Sequence, residues 1–326
     1  MTNNLQLPSE LSLESIKEVS KRIRPYINKT PILPFINQSN DWQLKCEFLQ
    51  RSGSFKARGA INNILQLKPS QCASGVTAVS AGNHALAVAY ASKAVKVNAK
   101  VVMQSSANPF RVRRAKEYGA EVVISERIDS AFEEMFQIAE KEDRAIIHPF
   151  EGYNTIQGSA TLGLEIMEQA HAFEVLLVAV GGGGLISGVG ATIKQLRPEI
   201  EIIGVEPEGA MGMTLSLEKG APLKKVEVNT IADSLGAPMH APISFNICQK
   251  VIDRITVVSD DAMCHAMAWA ADELKLILEP AGAAVLAALQ GPLRKECTNR
   301  SVAAILCGSN IDSETWFSYI SKSIKP

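Results

Sequence analysis

Hydrophobic residues recur along the chain in two rhythms. Leu13, Ile16, Val19 and Ile23 have helical spacing, with charged residues between them. Pro25, Pro31 and Pro34 then interrupt the pattern. Across 44–48, Leu44, Cys46 and Phe48 alternate with polar neighbours, as a half-buried strand does. From about Gly75, short apolar runs alternate with longer helical ones. The runs 76–79, 100–103, 121–124 and 145–147 predict strands, and 85–92, 109–118 and 130–142 predict the helices between them. A second series of strands follows at 175–180, 201–205, 254–258 and 302–307. Such alternation builds parallel sheets with crossover helices. The pattern therefore predicts an α/β chain with two open, largely parallel sheets flanked by helices. No repeat or linker separates them, so the two lobes should touch broadly, with a ligand cleft between.

Composition narrows the function. At roughly 150 residues per domain, 326 residues favour two domains or a large lobe with an insert. Lys plus Arg (33) nearly cancels Asp plus Glu (34), which argues against nucleic acid or an anionic membrane as partner. No apolar run approaches the ~18 residues that span a bilayer. The opening MTNNLQLPSE lacks a basic head followed by an apolar stretch, so the cytoplasm is the expected compartment. Six cysteines form neither Cys-x-x-Cys nor a zinc-like spacing with the histidines, and read as free thiols.

Four motifs carry candidate chemistry. Gly181-Gly182-Gly183-Gly184 follows the apolar run EVLLVAV and precedes Leu185 and a helical pattern. Glycines at a strand-to-helix turn let backbone N–H groups approach an anion, and the helix start adds positive partial charge. Neither the dinucleotide fingerprint nor the P-loop pattern fits, so the cup suits one isolated phosphate, or is simply a tight turn. In Ser52-Gly53-Ser54-Phe55-Lys56, a lysine follows an aromatic among small residues. Burial there would free its amine as a nucleophile, a bias of about 4–5 kcal/mol for a shift from ~10.4 to ~7. A solvated helix-start lysine is the plainer reading. Ser80-Ala81-Gly82-Asn83-His84 is a second strand-to-helix turn that could hold a carboxylate or merely cap the helix. Cys307-Gly308-Ser309-Asn310 closes the last strand, at the end where such sheets bind ligands.

In this order and combination, the four motifs resemble the serine/threonine dehydratase (ammonia-lyase) group of fold type II pyridoxal-phosphate enzymes, over roughly residues 20–312. His148-Pro149-Phe150, Glu206-Pro207, Thr230-Ile231-Ala232-Asp233 and Glu279-Pro280-Ala281-Gly282-Ala283 support it. The resemblance implies a tryptophan-synthase-β-like fold, with 1–72 and 151–326 as a large cofactor-binding domain and 73–150 as a small, mobile substrate-side domain. It implies pyridoxal 5′-phosphate as cofactor, Lys56 as its Schiff-base residue and later the base for the substrate α-proton, and Phe55 packed on the ring. Asn83 would bond the ring 3-hydroxyl, Gly181, Gly182, Gly183, Gly184 and Leu185 would cradle the phosphate, and Cys307 would meet the ring nitrogen. Ser80, Ala81, Gly82, Asn83 and His84 would hold the substrate carboxylate. For a divalent metal the resemblance offers Glu206 and the Ala210 carbonyl, with Gly212 where racemases carry an acid.

The implied activity is conversion of L-threonine or L-serine to a 2-oxo acid and ammonia in a cytoplasmic homodimer. Departures from the pattern matter. Ala81 stands where racemases have a second serine, so racemisation should be weak. Ser234-Leu235-Gly236 replaces the usual glycine after Asp233, which opens 3-phenylserine or 3-hydroxyaspartate as alternative substrates. A β-replacement enzyme is a further alternative, against which the Ala-Gly-Asn-His-Ala run counts.

Overall fold

The computed structural model describes residues 5–126 and 128–323. Ten strands are seen among them: β1 (Ile32–Ile36), β2 (Asp41–Lys45), β3 (Val76–Val79), β4 (Ala99–Gln104), β5 (Glu121–Ser125), β6 (Ala145–Ile146), β7 (Val175–Ala179), β8 (Glu201–Pro207), β9 (Arg254–Val258) and β10 (Ser301–Ile305). They form two sheets. The larger has the order β1-β2-β10-β7-β8-β9, parallel except for the antiparallel β1–β2 pair. The smaller, β5-β4-β3-β6, is parallel throughout. Apart from β1, every strand overlaps or adjoins one expected from the apolar pattern.

Two local differences have physical reasons. β1 contains Pro34, a residue that read as a break. It lies at the sheet edge, where a missing N–H is tolerated. The strand expected over 44–48 instead ends at Lys45, and Glu47–Leu49 makes a tight 3₁₀ turn. That turn sends Glu47 inward to meet a buried arginine described below.

Each sheet has its own core. Every residue of β7 is buried, as is helix Pro280–Gln290 behind it from Pro280 to Leu289. The smaller sheet packs Ala78, Val101 and Met103 together with Val19, Ile23, Ile61 and Ile64. The last two belong to helix Lys56–Leu65, which packs on helix Asn83–Val95 of the small lobe and helix Tyr153–Gln169 of the large one. Lys56 thus heads a helix wedged between the lobes.

Candidate active site

The segment before Lys56 is clamped to the segment after β10. Phe55 N donates to Cys307 O at 3.1 Å, Ser309 N donates to Gly53 O at 3.1 Å, and Asn310 Nδ2 donates to Ser52 O at 2.8 Å. These bonds hold Ser52 and Gly53 in a left-handed turn (φ 62° and 75°) that aims Lys56 into the cleft.

The helix is anchored two residues further on. Arg58 is completely buried; its Nε and Nη2 donate to Glu47 at 2.7 and 2.8 Å, and both terminal nitrogens donate to Glu165 at 2.9 Å. Lys45 completes the cluster, donating to Glu165 at 2.8 Å, Gln169 at 2.6 Å and Thr30 O at 2.7 Å. Two cations and two carboxylates balance, and each finds several partners, as buried charges require.

Lys56 Nζ donates to Pro149 O at 2.5 Å and lies 5.1 Å from the centre of the Phe55 ring. Burial pulls its pKa down to about 8, although the nearby Cys307 opposes this. His84 is buried and His148 partly so, and their pKa values are lowered to about 3 and about 4 by desolvation and then by Lys56, so both rings are neutral at pH 7. Their polar atoms are committed to backbone: His84 Nε2 meets Ile147 O at 2.7 Å, and His148 Nδ1 accepts from Glu151 N at 3.0 Å.

Opposite Lys56, the chain leaves β7, runs through Gly181–Gly183 and enters helix Gly184–Leu196. Gly183 has φ +89°, and a Cβ on Gly182 would run into the Phe150 ring. The first N–H groups of a helix have no partner within it, so this turn presents donors to an anion. Phe55, Lys56, Asn83, Gly181, Gly182, Gly183, Gly184, Leu185 and Cys307 all line this one pocket. Burial raises the Cys307 pKa, so a neutral thiol faces the pocket, its Sγ 3.3 Å from Ala281 O. The buried hydroxyl of Ser54, beside Phe55, has no protein partner. A nucleophilic amine, an anion cup, an aromatic face and a neutral partner make a donor set that fits pyridoxal phosphate.

An adjoining cavity of about 330 Å³ opens on the same lysine. Ser80, Ala81, Gly82, Asn83 and His84 form one wall, and Phe132, Phe150, Val228 and Pro238 supply apolar surface. Among its lining residues Lys56 is the cation and Asp233 the anion. Arg111 and Phe132 carry no signal in the sequence, whereas Glu279 and Asn310 lie in the motifs at 279–283 and 307–310 but without a role of their own. Arg111 sits in a strongly basic helix and Phe132 on an amphipathic one, where sequence gives no reason to single them out.

The metal candidates do not make a metal site. Glu206 is fully buried, and its carboxylate accepts from Met213 N at 2.7 Å, Thr214 N at 2.9 Å and Thr214 Oγ1 at 2.7 Å. It thus caps helix Gly212–Lys219. Ala210 is nearby, but any side chain at Gly212 would strike the buried His240 ring. Among the described residues no group of three or more His, Cys, Asp or Glu could hold a metal ion.

A half-buried, desolvated lysine facing a glycine cup across two α/β lobes defines a class of cofactor enzyme. The family model for pyridoxal-phosphate dependent enzymes matches residues 23–308, and the chain belongs to that family. Within it the chain falls in the serine/threonine dehydratase group of fold type II. It is 44% identical over 312 residues to a phenylserine dehydratase of Ralstonia pickettii, covering 93% of this chain and 94% of that one. An L-threonine ammonia-lyase of Thermotoga maritima is 35% identical over 307 residues, covering 93% of this chain and 76% of that one. The structure of maize serine racemase superposes with a TM-score of 0.87 at 33% identity, covering 95% and 97% of the two chains. Enzymes of this family use pyridoxal phosphate. Among the described residues no helix is long and apolar enough to cross a membrane.

Proposed function

We propose that the protein is an ammonia-lyase for 3-hydroxy amino acids with an apolar β-substituent, 3-phenylserine foremost and threonine or serine as smaller substrates. The observation that carries this is the cavity beside Lys56, roomy at about 330 Å³ and walled by Phe132, Phe150, Val228 and Pro238. The apolar side chains favour a phenyl ring over a hydrogen or methyl group. Among the described residues the cavity lining has no cation besides Lys56 to receive a second carboxylate, and Arg111 is already paired with Asp233, which disfavours 3-hydroxyaspartate. The Ralstonia pickettii relative supports the same substrate.

In this reading Lys56 carries pyridoxal phosphate, with Phe55, Asn83, Gly181 to Leu185 and Cys307 as its surroundings. The bound cofactor supplies an electron sink for the electrons of the substrate α-carbon. Lys56 Nζ, with its lowered pKa, takes the α-proton. The backbone N–H groups and Ser80 in the turn from Ser80 to His84 hold the substrate carboxylate. Neutral Cys307 avoids placing a full negative charge beside the cofactor ring. Ala81 offers no proton donor on its side, so racemisation is weak. Loss of the β-hydroxyl and hydrolysis then give a 2-oxo acid and ammonia.

The unit 73–150 serves as the substrate-side domain and moves against 1–72 with 151–326. Six free cysteines suit a cytoplasmic enzyme, and a homodimer is the assembly we expect. The test is a panel of 3-phenylserine, threonine, serine and 3-hydroxyaspartate, both configurations, scored for oxo-acid and ammonia release. The highest kcat/KM should fall on 3-phenylserine. A maximum on 3-hydroxyaspartate, or a thiol product formed when sulfide is added, would overturn the reading.

A further inference from the structure

Beside the pocket, one hydrogen-bonded set, buried except at Asp233, ties the lobes together. Arg111, on helix Pro109–Glu117 of the small lobe, reaches three groups of the large one. Its Nε donates to Asn310 O at 2.7 Å, Nη1 pairs with Asp233, and Nη2 lies 3.5 Å from Glu279 Oε2. Glu279 is fully buried at the head of helix Pro280–Gln290 and also accepts from Asn310 N at 3.0 Å and from Asn83 Nδ2. Asn310 Nδ2 donates to Asn83 Oδ1 at 2.6 Å. The Asn83 amide is thereby fixed. Its oxygen is filled and one N–H is on Glu279. Its remaining N–H, now 3.2 Å from Ser234 Oγ, is what it can offer a ligand.

Charge balance decides whether that orientation holds. An ionised carboxylate only accepts, whereas a protonated one would donate and compete with the Asn83 N–H. Three titratable or charged groups face Glu279: Arg111 from its helix, Asp233 from the turn Asp233–Leu235, and Cys307 from the end of β10. Asn83 and Asn310 complete its surroundings and are neutral. Burial raises the Glu279 pKa, Arg111 counters this, and Asp233 adds to the rise.

We infer that Glu279, held by Arg111, is a positioning residue that locks Asn83 as a hydrogen-bond donor toward the cofactor, and does so only while the lobes are together. The condition follows from membership: Arg111 and Asn83 belong to one lobe, Glu279 and Asn310 to the other. The inference rests on the pocket being the cofactor site. A donor fixed beside a ring oxygen favours its deprotonated form, so the absorbance of bound cofactor reports on Glu279.

The experiment is a pH titration of the absorbance of bound pyridoxal phosphate, without substrate, in wild type and the variants Arg111→Met, Arg111→Lys and Glu279→Gln. Arg111→Met should raise the midpoint of the Glu279-linked transition by about 1–3 pH units, the range expected when a carboxylate loses a neighbouring cation. Arg111→Lys should restore most of it, and Glu279→Gln should abolish the transition. If Arg111→Met does not fold, the other two variants carry the test, with circular dichroism checking the fold. A titration that is the same in wild type and folded Glu279→Gln overturns the inference while leaving the cofactor reading intact. A wild type that captures no cofactor sinks the reading itself.

Discussion

Replacing Arg58 by Met should cost the protein several kilocalories per mole. The arginine is completely buried and donates to two carboxylates, Glu47 and Glu165, and to Thr161 Oγ1 at 3.2 Å. Methionine fills most of the volume but leaves three charges where four balanced. Lys45 can still serve Glu165, and Thr30 Oγ1 can still serve Glu47 at 2.5 Å, so the loss is partial at both acids. Breaking a buried pair from one side costs about 3–5 kcal/mol. At an unfolding entropy of about 2.1 cal/mol/K per residue over the whole chain, that lowers Tm by about 4–7 °C. Thermal unfolding followed by circular dichroism at pH 7 measures it. Arg58→Lys, which keeps charge but loses the two-pronged geometry, should fall between wild type and Arg58→Met. A Tm within 1 °C of wild type for Arg58→Met would show that the cluster does not stabilise the fold in this way.

Three further outcomes follow from the site. The Lys56 pKa of about 8 lies below its ordinary 10.5, so the native state resists the charged amine. That cost, about 3 kcal/mol, is complete below pH 8 and fades as pH rises toward 10.5. Apoenzyme carrying Lys56→Met should therefore melt higher than wild type at pH 7, with the gap closing at high pH; a gap that widens with pH contradicts the sign. Gly182→Ala presses a methyl group into the Phe150 ring. An overpacking cost of about 1–3 kcal/mol lowers the Tm of the apoenzyme by about 1–4 °C on the same entropy scale, and an unchanged Tm would refute the close approach. Phe132→Ala should lower kcat/KM for 3-phenylserine about tenfold while sparing threonine, since only the larger substrate reaches that wall. Equal losses on both substrates would remove Phe132 from the specificity surface.

Much of this was legible in the sequence because it is periodic or punctuated. The alternation of 76–147 and of 175–307 marks nearly every strand, and the glycine run marks the turn after β7. What escaped the pattern depends on partners distant in the chain. Glu47 belongs to a tight turn rather than a strand because Arg58 waits for it. Pro34 sits in a strand because that strand is an edge. Arg111 looks like one of four basic residues in Pro109–Glu117, and only contact with Asp233 and Glu279 distinguishes it. Glu206 was a metal candidate through the family resemblance, which does not reveal the three protein donors that already fill it.

The chain passes between its two sheets twice, once from β2 to β3 and once from β6 to β7. The first passage carries Lys56, the second Pro149 and Phe150, and all three form pocket wall. A chimaera that borrowed the four-stranded unit from a relative would therefore have both its seams inside the reaction chamber. Grafting this lobe means transplanting chemistry along with it, so substrate preference and catalytic machinery are inherited as one piece.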